Sequence, residues 1–171
     1  MSDNYELRWE VAGTVQLSRT FTRLGATLRD FRRPLGRLAR EVIYPEIKHQ
    51  FDAEGNPAWP PLSPGYARRK AAKYPGRPKL VASGALRRSL TGRSAPGSIY
   101  VLTKEHLQVG TSLRTPGKRW NLGLIHQLGA PRAKVPARPM LRLRREAQTQ
   151  AVVIFHEWFR EQGRRLGINA E

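Results

Sequence analysis

Residues 98–111 have the sequence SIYVLTKEHLQVGT, in which two runs of strand-forming residues flank a short polar spacer at 103–105. β-Branched and aromatic residues favour strands, and a spacer of this length is typical of a hairpin. The stretch therefore predicts two antiparallel strands, at 98–102 and 106–111. A further strand is predicted at Glu6–Val11, where apolar and polar residues alternate, and we expect it to join the hairpin.

The region before the hairpin has apolar residues at helical spacing. From about residue 20 to residue 51, apolar residues recur mostly every three to five positions, which predicts the main helical region. Pro34 can occupy the first turn of a helix but not its interior, so we expect a break near Arg32 and Arg33. Pro45 falls where the apolar pattern continues and predicts a kink. This region is therefore expected to be helical, with a break near Arg32 and Arg33 and a kink at Pro45.

Helices are also predicted closer to the hairpin and after it. Ser63-Pro64 and Ser83 each suit the start of a short helix. Leu122–Leu128 is apolar and ends at Gly129, and residues 142–166 have an apolar face at helical spacing. A small antiparallel sheet packed against several helices indicates an α+β fold.

The chain is strongly basic, with 31 Lys and Arg against 13 Asp and Glu and a formal net charge of +18. Its 171 residues suit one domain, so we predict a single domain over 1–171. Two stretches rich in Pro, Gly and basic residues, at 53–79 and 112–121, are predicted to project from it as long basic loops. A field of this sign attracts phosphates and acidic protein surfaces alike.

The motifs of several enzyme classes are missing from the sequence. There is no Cys and no Gly-x-Ser-x-Gly turn, and the four His are not spaced as metal ligands. Gly117-Lys118 is followed by Arg119, where a phosphate-binding loop needs Ser or Thr. His126 lies in an apolar stretch, where a His more often makes a buried hydrogen bond than takes part in chemistry. We therefore expect no enzyme, no cofactor and no bound metal.

Membrane association is not predicted either. No stretch approaches the roughly 18 consecutive apolar residues that a spanning helix needs, and residues 1–10 contain acids and no apolar core of an export signal. We therefore expect no membrane partner.

One tripeptide offers an enzymatic alternative. Glu46-Ile47-Lys48 has the Glu-x-Lys form in which a metal-dependent nuclease uses the carboxylate to hold a cation and the lysine to support the attacking water. The tripeptide is common by chance, and Glu46 lies in helical periodicity instead of beside a strand that ends in Asp. A solvent-exposed helix face explains Glu46 better than a nuclease site.

The basic loops supply the candidate binding residues. Arginine forms paired hydrogen bonds with carboxylates at protein interfaces, whereas the same cations beside Tyr66 and Tyr74 suit phosphates and stacked bases. Protein docking and DNA binding are therefore both open. The candidate docking residues are Trp59, Tyr66, Arg68, Arg69, Lys70, Arg77, Lys79, Arg114, Lys118 and Arg119.

Three stretches in order along the chain resemble the Mu-like phage virion morphogenesis family, also described as tail completion proteins. The first runs from Phe51 to Ser89 and contains Asp52-Ala53-Glu54-Gly55, Trp59, Leu62-Ser63-Pro64 and Leu80–Leu86. The second is Val109-Gly110-Thr111 followed by His126-Gln127-Leu128-Gly129, and the third is Val135–Leu141. Together they span most of the chain from Phe51 onward.

The resemblance implies a small α+β subunit that forms a homo-oligomeric ring at the head–tail junction or the tail terminus, with six subunits as the candidate ring size. It implies partners among tail tube, sheath or connector proteins, and a place in the virion or a tail-like particle after assembly in the host cytoplasm. No catalytic residues come with it. Protein docking is therefore favoured for the basic loops, while DNA binding, or a transient DNA contact, is the alternative.

Overall fold

The computed structural model of the protein describes residues 14–115, 117 and 120–167, so the strand predicted at Glu6–Val11 lies outside it. The order of elements confirms the α+β prediction, with one hairpin set among helices. The elements are α1 (Thr14–Thr27), α2 (Arg32–Leu38), a π-helical turn (Ala39–Ile43), α3 (Tyr44–Asp52), α4 (Pro64–Lys73), α5 (Ala85–Thr91), β1 (Ser98–Leu102), β2 (Leu107–Thr111), α6 (Leu122–Leu128), a 3₁₀ turn (Pro131–Ala133) and α7 (Arg145–Arg165).

The main helical region breaks between α1 and α2 and departs from regular α-helix before Pro45, near the two places that the prolines indicate. Between α1 and α2, Asp30 accepts hydrogen bonds from the backbone N and the guanidinium of Arg32 at 2.5–3.1 Å. Before Pro45, where a kink was expected, the backbone forms the π-helical turn. Because proline has no N–H, it removes one bond of a regular helix, and the wider turn lies directly before that position.

The hairpin prediction is confirmed with one change of boundary. β1 and β2 pair antiparallel, with Ser98 opposite Thr111 and Leu102 opposite Leu107. The turn is closed by Thr103 N, which donates to the His106 carbonyl at 2.9 Å. The second strand thus starts one residue later than predicted, and within the described residues the sheet has these two strands.

Among the residues that the structure describes, two apolar clusters form the core. In the larger one, the rings of Phe51 and Trp59 are buried and meet edge to face, with centroids 5.7 Å apart. In the smaller one, Val42 packs against Ala147 and Ile154 of α7. The C-terminal helix predicted at 142–166 is therefore confirmed as α7, and its apolar face is the one that packs on the π-helical turn.

Glu46 corrects one prediction, because it is buried in α3 and not on a solvent-exposed face. Its carboxylate accepts hydrogen bonds from Arg144 Nη2 at 2.6 Å, from Arg144 Nε at 3.1 Å and from Arg144 N at 3.2 Å. The side-chain bonds from Arg144 lower the pKa of Glu46, although burial opposes the shift. Helical periodicity around Glu46 could not reveal this ion pair, since Arg144 lies 98 positions further along the chain.

No helix in the part of the chain that the structure describes is both long enough and apolar enough to cross a bilayer.

Candidate assembly surface

Three separate stretches of the sequence meet at one place, which we call the loop junction: Trp59–Pro61, His126–Gln127 and Arg138–Leu141. Trp59 Nε1 donates to the Pro139 carbonyl at 2.9 Å. In the opposite direction, Arg138 donates from Nε to the Pro60 carbonyl at 3.0 Å and from Nη2 to the Pro61 carbonyl at 2.8 Å. These bonds tie the loop after α3 to the segment before α7.

Helix α6 joins the loop junction through Gln127. Its Oε1 atom accepts from Met140 N at 2.9 Å and from Leu141 N at 3.0 Å. Arg138 N adds a bond to the His126 carbonyl at 2.6 Å. One amide side chain and one backbone bond therefore hold α6 alongside the segment 138–141.

The turn after α3 places Trp59. Glu54 and Gly55 have positive φ angles of 51° and 97°, and a Cβ at Gly55 would overlap the Trp59 ring. Only glycine combines that φ with so close an approach. Gly55 N donates to the Gln50 carbonyl and Trp59 N to the Glu54 carbonyl, both at 2.8 Å. The turn therefore fixes where the tryptophan enters the core.

Two predicted docking residues, Lys70 and Lys79, hold the loop between α4 and α5 in place. Lys70 of α4 is buried, and its Nζ donates to the carbonyls of Arg77 and, at 2.8 Å, of Pro78. Burial lowers the pKa of Lys70. Lys79 Nζ lies 3.0 Å from Glu54 Oε2, and Lys79 N donates to Glu54 Oε1 at 2.5 Å. These cations fix the path of the chain between α4 and α5, and α4 confirms the helix predicted at Ser63-Pro64.

The loop junction also encloses two basic side chains. Arg138 is only 4% exposed, and burial lowers the pKa of its guanidinium. Burial, and then the charge of Arg138, lower the pKa of His126. The Nδ1 atom of His126 is buried, and no described residue makes a hydrogen bond to it. The prediction of a buried hydrogen bond is therefore wrong for this nitrogen.

The other predicted docking residues have different locations. Trp59 lies in the core, and Arg114 is exposed and forms an isolated β-bridge with Asn121. Lys118 and Arg119 lie outside the described residues. The exposed members on or just after α4 are Tyr66, Arg68, Arg69 and Arg77. The docking role of the whole set stays a prediction.

An exposed apolar surface adjoins the loop junction. We call it the α6 patch and define it as Trp120 (63% exposed), Leu124 (58%), Leu128 (67%) and Leu141 (45%). Leu124 and Leu128 are one turn apart on the same stripe of α6, and Gln127 between them bonds to the backbone of Leu141. Trp120 directly precedes the helix. Large apolar side chains grouped in this way mark interaction sites more often than single exposed ones do.

The α6 patch stands on a fixed support. The Asn121 side chain caps α6 by accepting from Leu124 N at 3.0 Å, and it donates to the Thr111 carbonyl at 2.9 Å. A Cβ at Gly123 would lie 2.6 Å from Thr111 Cγ2, so glycine lets α6 approach β2 closely. The inner side of α6 is therefore held on the sheet while Leu124 and Leu128 face outward.

Comparison with known proteins identifies the family. Residues 13–159 match the family model of the phage virion morphogenesis family. The chain belongs to that family. The match confirms the resemblance seen in the three stretches, all of which lie within the matched residues, and it supports a structural or assembly role in a phage. No curated protein and no solved structure matches the chain.

The α6 patch of this virion morphogenesis protein was missed by sequence reasoning, which treated Leu122–Leu128 as a helix that packs. Two leucines four residues apart, directly after Trp120, were the available signal. Sequence alone does not show which side of so short a helix is covered, because Gly123 and Gln127 make the covering contacts with residues elsewhere in the chain.

The nuclease alternative gains no support from the structure. Both carboxylate oxygens of Glu46 accept from Arg144. Across the described ranges, no group of three or more His, Asp or Glu side chains is arranged to hold a metal ion. Glu46 therefore acts as the buried half of an ion pair that joins α3 to the start of α7.

Proposed function

We propose that the protein is a structural subunit of a phage tail that assembles into a homo-oligomeric ring, at the tail terminus or the head–tail joint. The observation that carries this proposal is the α6 patch, whose four large apolar side chains are exposed in a single copy. Covering such a surface with another protein removes it from water, which favours association. Membership of the virion morphogenesis family supports a partner inside the phage particle.

The exposed side chains of α4 suit a second contact, with tail tube, sheath or connector proteins. Arg68, Arg69 and Arg77 are exposed beside Tyr66, and arginine and tyrosine are favoured at protein interfaces. The high net charge makes acidic surfaces on these partners the natural complement. We further propose that the ring has six subunits and that it is part of the virion or of a tail-like particle.

DNA binding is the second candidate function. The observation in its favour is that α4 has three exposed cations, Arg68, Arg69 and Lys73, and no acid. Salt titration separates the two functions, because DNA affinity falls steeply with salt. DNA affinity that persists at physiological salt, and is lost in the double variant Arg68→Ala/Arg69→Ala, would favour DNA binding over docking.

Mass measurement tests the ring. We expect sedimentation velocity of the purified protein, alone and with isolated tails, to show an oligomer or a particle-bound form. The double variant Leu124→Ser/Leu128→Ser should lose this association while its circular dichroism and unfolding curve stay close to those of the wild type. Val152→Ser is the matched control, since Val152 is 69% exposed on α7. A strictly monomeric protein that is absent from purified particles contradicts the proposal.

A further inference from the structure

A groove of about 660 Å³ lies between α2, β1 and α7. Its floor includes the apolar side chains of Leu102, Ile154 and Trp158. We call it the arginine groove, because its charged lining consists of Arg33, Arg37, Arg40, Arg93, Arg164, Glu157 and Glu161. Glu41 also pairs with Arg37 and Arg40, so five cations stand against three carboxylates. This leaves an excess of positive charge that a ligand with several carboxylates complements.

In the arginine groove, a carboxylate of a ligand can replace a glutamate as the partner of an arginine. Arg33 lies 3.9 Å from Glu161, and Arg40, whose side chain is 73% exposed, pairs with Glu41 at 3.0 Å. Arg37 donates to Glu157 at 2.5 Å, but both side chains are about half exposed. Exposed pairs of this kind contribute little to stability, so an incoming carboxylate can take over an arginine at small cost.

The apolar floor restricts the class of ligand further. A nucleic-acid duplex would bring its evenly spaced phosphates against Glu157 and Glu161 as well as the arginines, and its paired bases would leave the floor uncovered. A peptide with alternating apolar and acidic side chains can cover the floor and still reach the arginines, because successive residues of an extended chain point in opposite directions. The arginine groove therefore suits an extended acidic peptide with apolar residues at every second position.

The chain itself contains a segment with this chemistry. Asp3–Val11 has the sequence DNYELRWEV, with three acids and one base in a protein whose net charge is +18. Its apolar residues Leu7, Trp9 and Val11 alternate with polar ones that include Glu6 and Glu10. We propose that Asp3–Val11 of one copy binds in the arginine groove of the next copy. This inference rests on the proposed ring.

The direction of α1 favours a neighbouring copy over the same chain. Phe31, just after α1, packs on Trp158 with ring centroids 5.0 Å apart. Leu24 and Leu28 share a cavity with α7 that reaches from His156 to Arg164. Helix α1 thus runs back toward the carboxyl end of α7, and Thr14 lies ten residues before Leu24, about 15 Å further along the helix axis. The segment before Thr14 therefore starts at the far end of α1, away from Phe31.

Such a contact is head to tail, since one surface of each copy meets a different surface of the next. Contacts of this type generate rings when the rotation between copies closes. Because the arginine groove borders Tyr100 and Leu102 of β1, the bound segment lies beside the hairpin, as the alternating pattern at Glu6–Val11 predicts, but on a second molecule.

Disulfide trapping tests the inference, and the chain suits it because it contains no Cys. The double variant Glu10→Cys/Arg40→Cys is oxidised, and its mass is read on a non-reducing gel. We expect a ladder of covalent dimers and larger species. Glu10→Cys/Val152→Cys is the matched control and should give no ladder. A crosslinked monomer, which would mean binding within one chain, or the absence of a crosslink overturns the inference.

Charge reversal provides a second measurement that does not depend on crosslinking. Glu6→Lys/Glu10→Lys and Arg40→Glu/Arg164→Glu should each weaken self-association about tenfold or more, because like charges then face each other. Mixing the two variants should restore heterodimers, since one wild-type segment then meets one wild-type groove. No restoration overturns the inference. If the wild type still forms a ring in that case, the proposed function stands and only this contact fails.

Discussion

The loop junction and the arginine groove use the same residue types in opposite ways. In the loop junction, Trp59 and Arg138 are buried, and both donate to backbone carbonyls of the same chain. In the arginine groove, exposed arginines form ion pairs above an apolar floor. A buried cation on carbonyls fixes one loop conformation, whereas exposed cations on carboxylates can change partners. The high net charge therefore has a structural use in the loop junction, and we propose a binding use in the arginine groove.

The largest expected effect comes from removing the anchor of the loop junction. Trp59→Ala should lower the free energy of unfolding by about 3–5 kcal/mol, because it leaves a cavity beside Phe51. Urea unfolding followed by circular dichroism measures the change. Trp120→Ala is the matched control at a residue that is 63% exposed, and it should change stability little. Equal losses from the two tryptophans would contradict the difference in burial.

Glu46 is an intermediate case, since a buried carboxylate pairs with a partly exposed arginine. We expect Glu46→Gln to lower the free energy of unfolding by about 2 kcal/mol at neutral pH, because the charged hydrogen bonds are lost. The pKa of Glu46 is lowered in the folded protein, so its contribution is present above about pH 4.5 and is lost as pH falls through the folded value. Unfolding curves at several pH values should converge for variant and wild type in acid.

His126 lies in the loop junction, and its burial there should make the stability of the protein depend on pH. Because burial and Arg138 lower its pKa, the folded protein takes up its proton less readily than the unfolded chain does. Stability should therefore fall as pH drops below about 6.5, the ordinary value for His, and level off below the folded pKa. His126→Gln should reduce this loss of stability below about pH 6.5, whereas His156→Gln, at an exposed position on α7, should keep it.

The smallest effect on stability is expected in the arginine groove. Arg40→Ala should change the free energy of unfolding by no more than about 0.5 kcal/mol, as is usual for exposed residues. The same change should weaken self-association measurably by sedimentation. A large loss of stability with unchanged association would mean that the groove arginines support the fold of their own chain.

Much of the fold follows from local patterns. The hairpin at 98–111, the helix break near Arg32, a departure from regular helix near Pro45, and the helices α4 and α6 were predicted because alternation, prolines and capping residues act over a few positions. The surroundings of the candidate docking residues could not be predicted from local patterns, and their docking role stays a prediction. Trp59, Lys70 and Lys79 were chosen for residue type and charge. The structure places Trp59 in the core, Lys70 on backbone carbonyls and Lys79 on the carboxylate of Glu54.

The sequence by itself determined the fold class, the order of elements and the family, because these rest on spacing along the chain and on ordered motifs. Only the tertiary structure decided which cations are buried and which apolar side chains stay exposed. Glu46 with Arg144, Trp59 with Pro139 and Gln127 with Leu141 are contacts between distant parts of the chain. Burial depends on such contacts, and neither net charge nor periodicity contains them.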